Sequence, residues 1–113
     1  KEVDPTAKKK EDPYRNRAGR SEDYWRARVD EWRKKLSSLQ ERVETLRIKY
    51  NELTEKFNES KSSTERATFR RDRDQIKTEM DQYKIQIEEA KTMLAKKIPE
   101  EAEIYKAKQE WLK

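Results

Sequence analysis

The sequence predicts an all-α protein: an antiparallel two-helix coiled-coil hairpin with a mobile N-terminal arm and a short C-terminal helix. Three observations predict it. From Trp25 to Phe57 the apolar residues recur at alternating steps of four and three, as Trp25, Val29, Trp32, Leu36, Leu39, Val43, Leu46, Tyr50, Leu53 and Phe57. That spacing draws one narrow stripe along an α-helix, the seam of a coiled coil. A second series keeps the same beat after a polar break: Phe69, Arg73, Ile76, Met80, Tyr83, Ile87, Ala90 and Leu94. Finally, Gly19, Pro5, Pro13 and Pro99, the glycine and prolines of the chain, all fall outside both series, where helix breakers belong.

Residues 1–20 read as a basic extended arm. Its prolines, its glycine and the Lys8-Lys9-Lys10 run leave no apolar period, so the arm is expected to be mobile alone and to order on a partner. It holds seven basic and four acidic residues, a net +3 of the chain's +5.

The hairpin is expected over 21–98, with helices at 21–58 and 63–97 and a tip at 59–62. Ser21 is a good N-cap, and Glu22 and Asp23 place carboxylates where the helix dipole favours them. Glu22–Arg26, Asp30–Lys34, Glu31–Lys35 and Glu52–Lys56 are acid-before-base pairs four apart, each adding about 0.2–0.5 kcal/mol to a helix. Asn58 suits the left-handed conformation at a helix end. Ser62-Ser63-Thr64-Glu65 reads as a capping box that starts the second helix. Pro99 disfavours helix at the residue before it, which predicts a stop near Lys97. Residues 99–113 then restart as a short amphipathic helix, with proline at its first position and Ile104, Lys108 and Trp111 or Leu112 on one face.

Folding the chain at its tip pairs Leu53 with Phe69, Leu46 with Ile76, Leu39 with Tyr83 and Val29 with Leu94. Trp32 meets Ala90, a large residue against a small one, and Tyr50 meets Arg73, whose guanidinium can lie on the ring.

Only 31% of the residues are hydrophobic and 47% are charged, so each helix can bury one stripe and leaves the rest in water. The two signs are interspersed, the usual surface of a coiled coil rather than a polycation, which argues against nucleic acid as the partner. No apolar run approaches the roughly 20 residues of a transmembrane helix. With no histidine and no cysteine, the commonest general base and the best nucleophile are missing. The expectation is therefore no enzyme, no catalytic or metal-binding residues, no cofactor and no small-molecule substrate. Paired carboxylates such as Asp72 with Asp74, Glu88 with Glu89 and Glu100 with Glu101 read as a solvated face.

Candidate partner contacts lie in three places. Lys8, Lys9, Lys10 and Tyr14 belong to the arm. Arg66, Arg70 and Arg71 cluster with Arg73 after the tip, either as a docking patch for an acidic protein, a phosphate or a membrane surface, or as an ordinary face interleaved with Glu65, Asp72 and Asp74. Tyr105, Trp111 and Leu112 sit off the seam; they either grip a partner or fold back on the open end of the hairpin. Ile48 and Ile85 point outward as lone apolar residues. Asn58-Glu59-Ser60 matches the N-glycosylation pattern, which matters only in a eukaryotic secretory setting.

The run from Glu22 to Arg33 (Glu-Asp-Tyr-Trp-Arg-Ala-Arg-Val-Asp-Glu-Trp-Arg), the ending Ile98-Pro99-Glu100-Glu101-Ala102 and the late Trp111-Leu112-Lys113 resemble a group of small bacterial proteins. These are predicted to be exported, coiled-coil and without assigned activity. Their pattern has a Tyr/Phe-Trp opening, a Leu-Pro-Glu-Glu-Ala ending and a Trp-Leu-Arg tail. Ile98 stands here where the group has leucine, and no Gly/Pro-rich spacer precedes Trp111. The resemblance implies a bacterial, periplasmic or otherwise extracytoplasmic setting. The chain's opening at Lys1 agrees with a cleaved export signal, as it would with a trimmed start. A looser similarity links the chain to the periplasmic chaperone Skp, also basic and built with helical hairpin arms, whose β-rich trimerisation body has no counterpart here.

The function these readings predict is that of a non-enzymatic structural or adaptor protein, a helical-hairpin spacer that meets protein partners, either a larger complex or a second copy of itself. The alternatives are a Skp-like holdase and, behind it, a nucleic-acid-associated basic coiled coil. Peripheral contact with an acidic surface stays open.

Overall fold

The computed structural model describes residues 20–113. Within them the order is α1 (Glu22–Glu59), α2 (Ser63–Thr92), a π turn (Met93–Lys97), α3 (Ile98–Ile104) and a 3₁₀ turn (Gln109–Leu112), with no strand among the described residues. The architecture is the expected all-α helical hairpin. The arm expected at 1–20, including Lys8, Lys9, Lys10 and Tyr14, lies outside the described residues except for Arg20. Two compact units divide the described chain. One is residues 34–91; the other joins the start of α1, up to Arg33, to Thr92–Lys113.

In the 34–91 unit the two helices run antiparallel, and cross-contacts set the register. Arg42 donates to the Tyr83 hydroxyl at 3.2 Å. Arg73 lies 5.7 Å from the centre of the Tyr50 ring, and Arg66 lies 4.5 Å from that of Phe57. Partners climb α1 as they descend α2. Leu39, Met80, Ile87 and Ala90 are buried, while Leu36, Val43, Leu46, Tyr50, Leu53, Phe57, Phe69, Ile76 and Tyr83 are half-buried. Two helices cover many of these side chains only in part, so the half-buried ones keep one flank wet.

The tip differs from expectation in two details. Asn58 does not adopt the left-handed conformation; among the described residues only Lys106 has positive φ. Instead α1 runs on to Glu59, and Ser60 N–H closes the last turn on the Lys56 carbonyl at 3.0 Å. The capping box is also enlarged. Glu65 N–H donates to Ser62 Oγ at 3.2 Å, as a box requires. The return bond passes through Ser60: Ser62 N–H donates to Ser60 Oγ at 3.3 Å, and the Ser60 hydroxyl donates to Glu65 Oε1 at 3.0 Å.

The larger departure is at Pro99. The helix does not stop near Lys97 but continues through the proline to Ile104. Proline in a helix interior lacks an N–H and its ring strikes the carbonyl four residues back. The π turn removes that conflict, with Ile98 N–H bonding the Met93 carbonyl, five residues back, in a widened turn. The extra residue also resets the register. The four-three beat through Ala90 and Leu94 would next bring Lys97 and Glu101 inward. With one residue inserted, Ile98 and Ala102 arrive there instead, both fully buried, and Lys97 stays exposed.

The expected C-terminal amphipathic helix over 99–113 is therefore replaced by α3, a turn and a 3₁₀ segment. Lys106, at φ 60°, terminates α3. Its N–H bonds the Glu103 carbonyl at 3.0 Å, and Ala107 N–H bonds the Ala102 carbonyl at 2.8 Å, the two bonds of a Schellman motif.

Candidate functional site

Two surfaces carry the residues of interest, one in each unit. The first is built around Trp25, Val29, Ile98 and Ala102, which form a buried cluster. Ser21 places Trp25 by capping α1, its Oγ accepting Tyr24 N–H at 3.4 Å. The π turn places Ile98 opposite. Trp32, Met93, Leu94, Tyr105, Ala107, Trp111 and Leu112 pack around this centre.

Of the sequence-predicted contacts, Tyr105, Trp111 and Leu112 are thus half-buried within the chain, folded back rather than projecting. Ile104, expected to share a face with Trp111 or Leu112, is instead exposed. The reason is the Schellman turn, which ends α3 before that face can form.

Polar clasps hold the fold-back. Arg28 grips Glu101 with two bonds, Nε to Oε1 at 2.9 Å and Nη2 to Oε2 at 3.1 Å, with both side chains mostly shielded. Arg33 Nη2 donates to the Leu112 carbonyl at 3.2 Å, and Gln109 Nε2 to the Pro99 carbonyl at 3.1 Å. The Arg20 guanidinium lies 4.1 Å from the ring centre of Tyr105 and 4.6 Å from that of Tyr24. Trp25 stacks edge-on with Tyr24 at 5.1 Å, and its Nε1 is buried without a hydrogen-bond partner. These bonds clamp one segment onto another.

The second surface lies beyond the tip. Arg66, Arg70 and Arg71 are exposed on α2, and Arg73 is half-buried in the seam. Arg73 Nε is buried and unbonded, with the guanidinium 5.3 Å from the centre of the Phe57 ring. Asn58 is exposed at the end of α1.

No polar or charged residue is buried among the described ones. The exposed Glu44 carboxyl is held below the usual carboxylate range, chiefly by the hydrogen bond from Arg47, and Arg47 is pushed up by the same bond. Among the described residues no cluster of three or more His, Cys, Asp or Glu is placed to hold a metal ion, and no helix is long and apolar enough to cross a membrane.

Sequence reasoning missed Arg28, Glu101, Arg20 and Lys106; Glu101, expected on a solvated face, is half-buried against Arg28. The first two stand 73 residues apart, and nothing local marks them as partners. Comparison of the chain with models of protein families, with curated proteins and with solved structures finds no match.

Proposed function

We propose that this protein is a non-enzymatic structural or adaptor protein, a helical-hairpin spacer that meets other proteins through its surface. One observation carries the reading: most apolar side chains go into helix–helix packing, while no charged residue is buried among the described ones. Acid–base and nucleophilic catalysis rely on groups shifted by desolvation and close charges. Glu44 and Arg47, each shifted by the bond between them, sit in open water. A hairpin whose seam is only half-covered along much of its length gains stability when another protein lies against it. The resemblance stated above supplies the setting, a bacterial extracytoplasmic compartment.

The test is isolation of the native protein with whatever binds it, beside a Leu46→Asp variant. The seam reading expects one partner to co-purify with the native protein and the variant to lose both that partner and cooperative thermal unfolding. Retention of both by the variant would refute it.

A further inference from the structure

Two grooves of the 34–91 unit open on one flank of the seam. One, of about 420 Å³, is lined by Arg42 and Leu46 of α1 and by Glu79 and Tyr83 of α2. The next, of about 700 Å³, is lined by Lys49 and Leu53 of α1 and by Asp72, Ile76 and Glu79 of α2. Leu46, Leu53, Ile76 and Tyr83 are seam residues left half-buried there. The helical offset explains which charges share this flank. Arg42, Lys49, Asp72 and Glu79 each stand three residues beyond a seam residue, Leu39, Leu46, Phe69 and Ile76. Arg47 and Lys77 stand one beyond Leu46 and Ile76, and that offset leaves a helix on the opposite flank of its stripe.

The two flanks use their charges differently. On the flank without grooves, bases meet acids of their own helix: Arg47 with Glu44, Lys77 with Asp81 and Lys91 with Glu88. On the grooved flank, Arg42, Lys49, Asp72 and Glu79 are exposed and make no ion pair among the described residues. Arg42 reaches only the Tyr83 hydroxyl of its own chain, at 3.2 Å. The signs are sorted by helix, bases from α1 and acids from α2. Glu41 also lines the first groove, but it is turned about 100° farther from the seam than Arg42. Nearer the tip Glu52 mixes the signs, so the sorted stretch is 42–49 against 72–79.

We propose that the grooved flank is the contact face of a two-fold dimer of this chain. Rotating a second copy about an axis parallel to the helices lays its α1 over the first copy's α2, antiparallel and at the same level, with the two tips together. The register that sets Arg73 beside Tyr50 then brings Lys49 of one copy to Asp72 of the other. Arg42, seven residues back, comes to Glu79, seven residues on, over about 10 Å of helix. The contact is isologous, so each pair forms twice. Turning the second copy end for end would instead lay α1 on α1 and α2 on α2, bases against bases and acids against acids, so the charges choose the axis. Leu46, Leu53, Ile76 and Tyr83 of both copies close over one another, and the product is a four-helix bundle whose neighbours alternate in direction. The inference rests on the adaptor reading, of which it names one partner.

Sedimentation equilibrium of the full chain tests it. The native mass should approach twice the 13.8 kDa of one chain. Lys49→Glu and Asp72→Lys should each shift the protein toward monomer, with helical circular dichroism retained, because like charges then meet across the two-fold axis. An equimolar mixture of the two variants should return to dimers. Within each variant's own chain the charges at 49 and 72 stay alike, so the recovery comes only from the other copy. If a reversal unfolds the chain, Asp72→Asn replaces it and should weaken dimerisation about five-fold. The chain has no cysteine, so Lys61→Cys at the exposed tip takes a single spin label. Tips held together keep the two labels within about 25 Å, whereas copies placed end for end hold them about 45 Å apart. A native monomer, a mixture that stays monomeric, or the longer distance would each overturn the proposal. A native monomer that still brings another protein through isolation overturns it and keeps the adaptor reading. The Leu46→Asp test reads the seam within one chain through its cooperative unfolding, so the two readings fail separately.

Discussion

Replacing Ile98 by alanine, beside Lys97→Ala as its control, examines the π turn directly. Ile98 is 0% exposed, whereas Lys97 projects into solvent. Truncation removes three carbons, about 2.4 kcal/mol at about 0.8 kcal/mol per buried methylene. The cavity adds to this, because neither Trp25 nor the short Ala102 side chain can fill the space. The expected total is about 3 kcal/mol, inside the range of about 2–5 kcal/mol for such truncations. For a chain of this size that corresponds to a fall in Tm of about 12–24 °C. Lys97→Ala should change stability by no more than about 0.5 kcal/mol. Urea unfolding followed by circular dichroism reads both variants. An uninterrupted α-helix would reverse the pattern, bringing Lys97 inward and turning Ile98 away. Equal costs for the two, or a cost for Ile98→Ala below about 1 kcal/mol, would refute the inserted-residue account.

Other substitutions probe other parts of the chain. Lys106→Gly should stabilise the protein by about 0.5–1 kcal/mol in the same unfolding assay, because a residue with a Cβ is strained at positive φ. A double-mutant cycle on Arg28 and Glu101 should give a coupling of about 1 kcal/mol, and Arg28→Lys should lose most of it, since lysine has no two-pronged fork. Ser62→Ala should cost about 1 kcal/mol through loss of the α2 cap. Glu44 should titrate by NMR below its ordinary 4.5, and Arg47→Gln should return it there. Because the folded value is the depressed one, any stability from this pair is present above the ordinary carboxylate value and is lost as pH falls through the folded value.

The course of the chain from Ser21 to Leu94 was legible in the sequence because one period serves both helices and local signals mark the ends. Arg73 over Tyr50 followed from register alone. Legibility ended where one local rule met a stronger tertiary demand. Pro99 ordinarily ends a helix, but stopping there would have left Trp25 without Ile98 and Ala102 to cover it, and a π turn lets the helix pass. The turn at Lys106 was hidden because its usual marker is glycine or asparagine, and here the position holds lysine. Asn58 carried that marker and did not use it, since the Ser60 hydroxyl tied down the tip. At the candidate surfaces, the arginine cluster was visible as composition. The seating of Arg66 and Arg73 over the Phe57 ring was not, because it depends on which flank of α2 each side chain leaves.

The antiparallel register between α1 and α2 underlies every conclusion above, and ring-proton nuclear Overhauser effects measure it directly. The account predicts cross-peaks from the Phe57 ring to the Arg66 side chain, from Tyr50 to Arg73 and from Tyr83 to Arg42, all surviving dilution. Their absence, with helical connectivities running unbroken through residues 60–62, would contradict it.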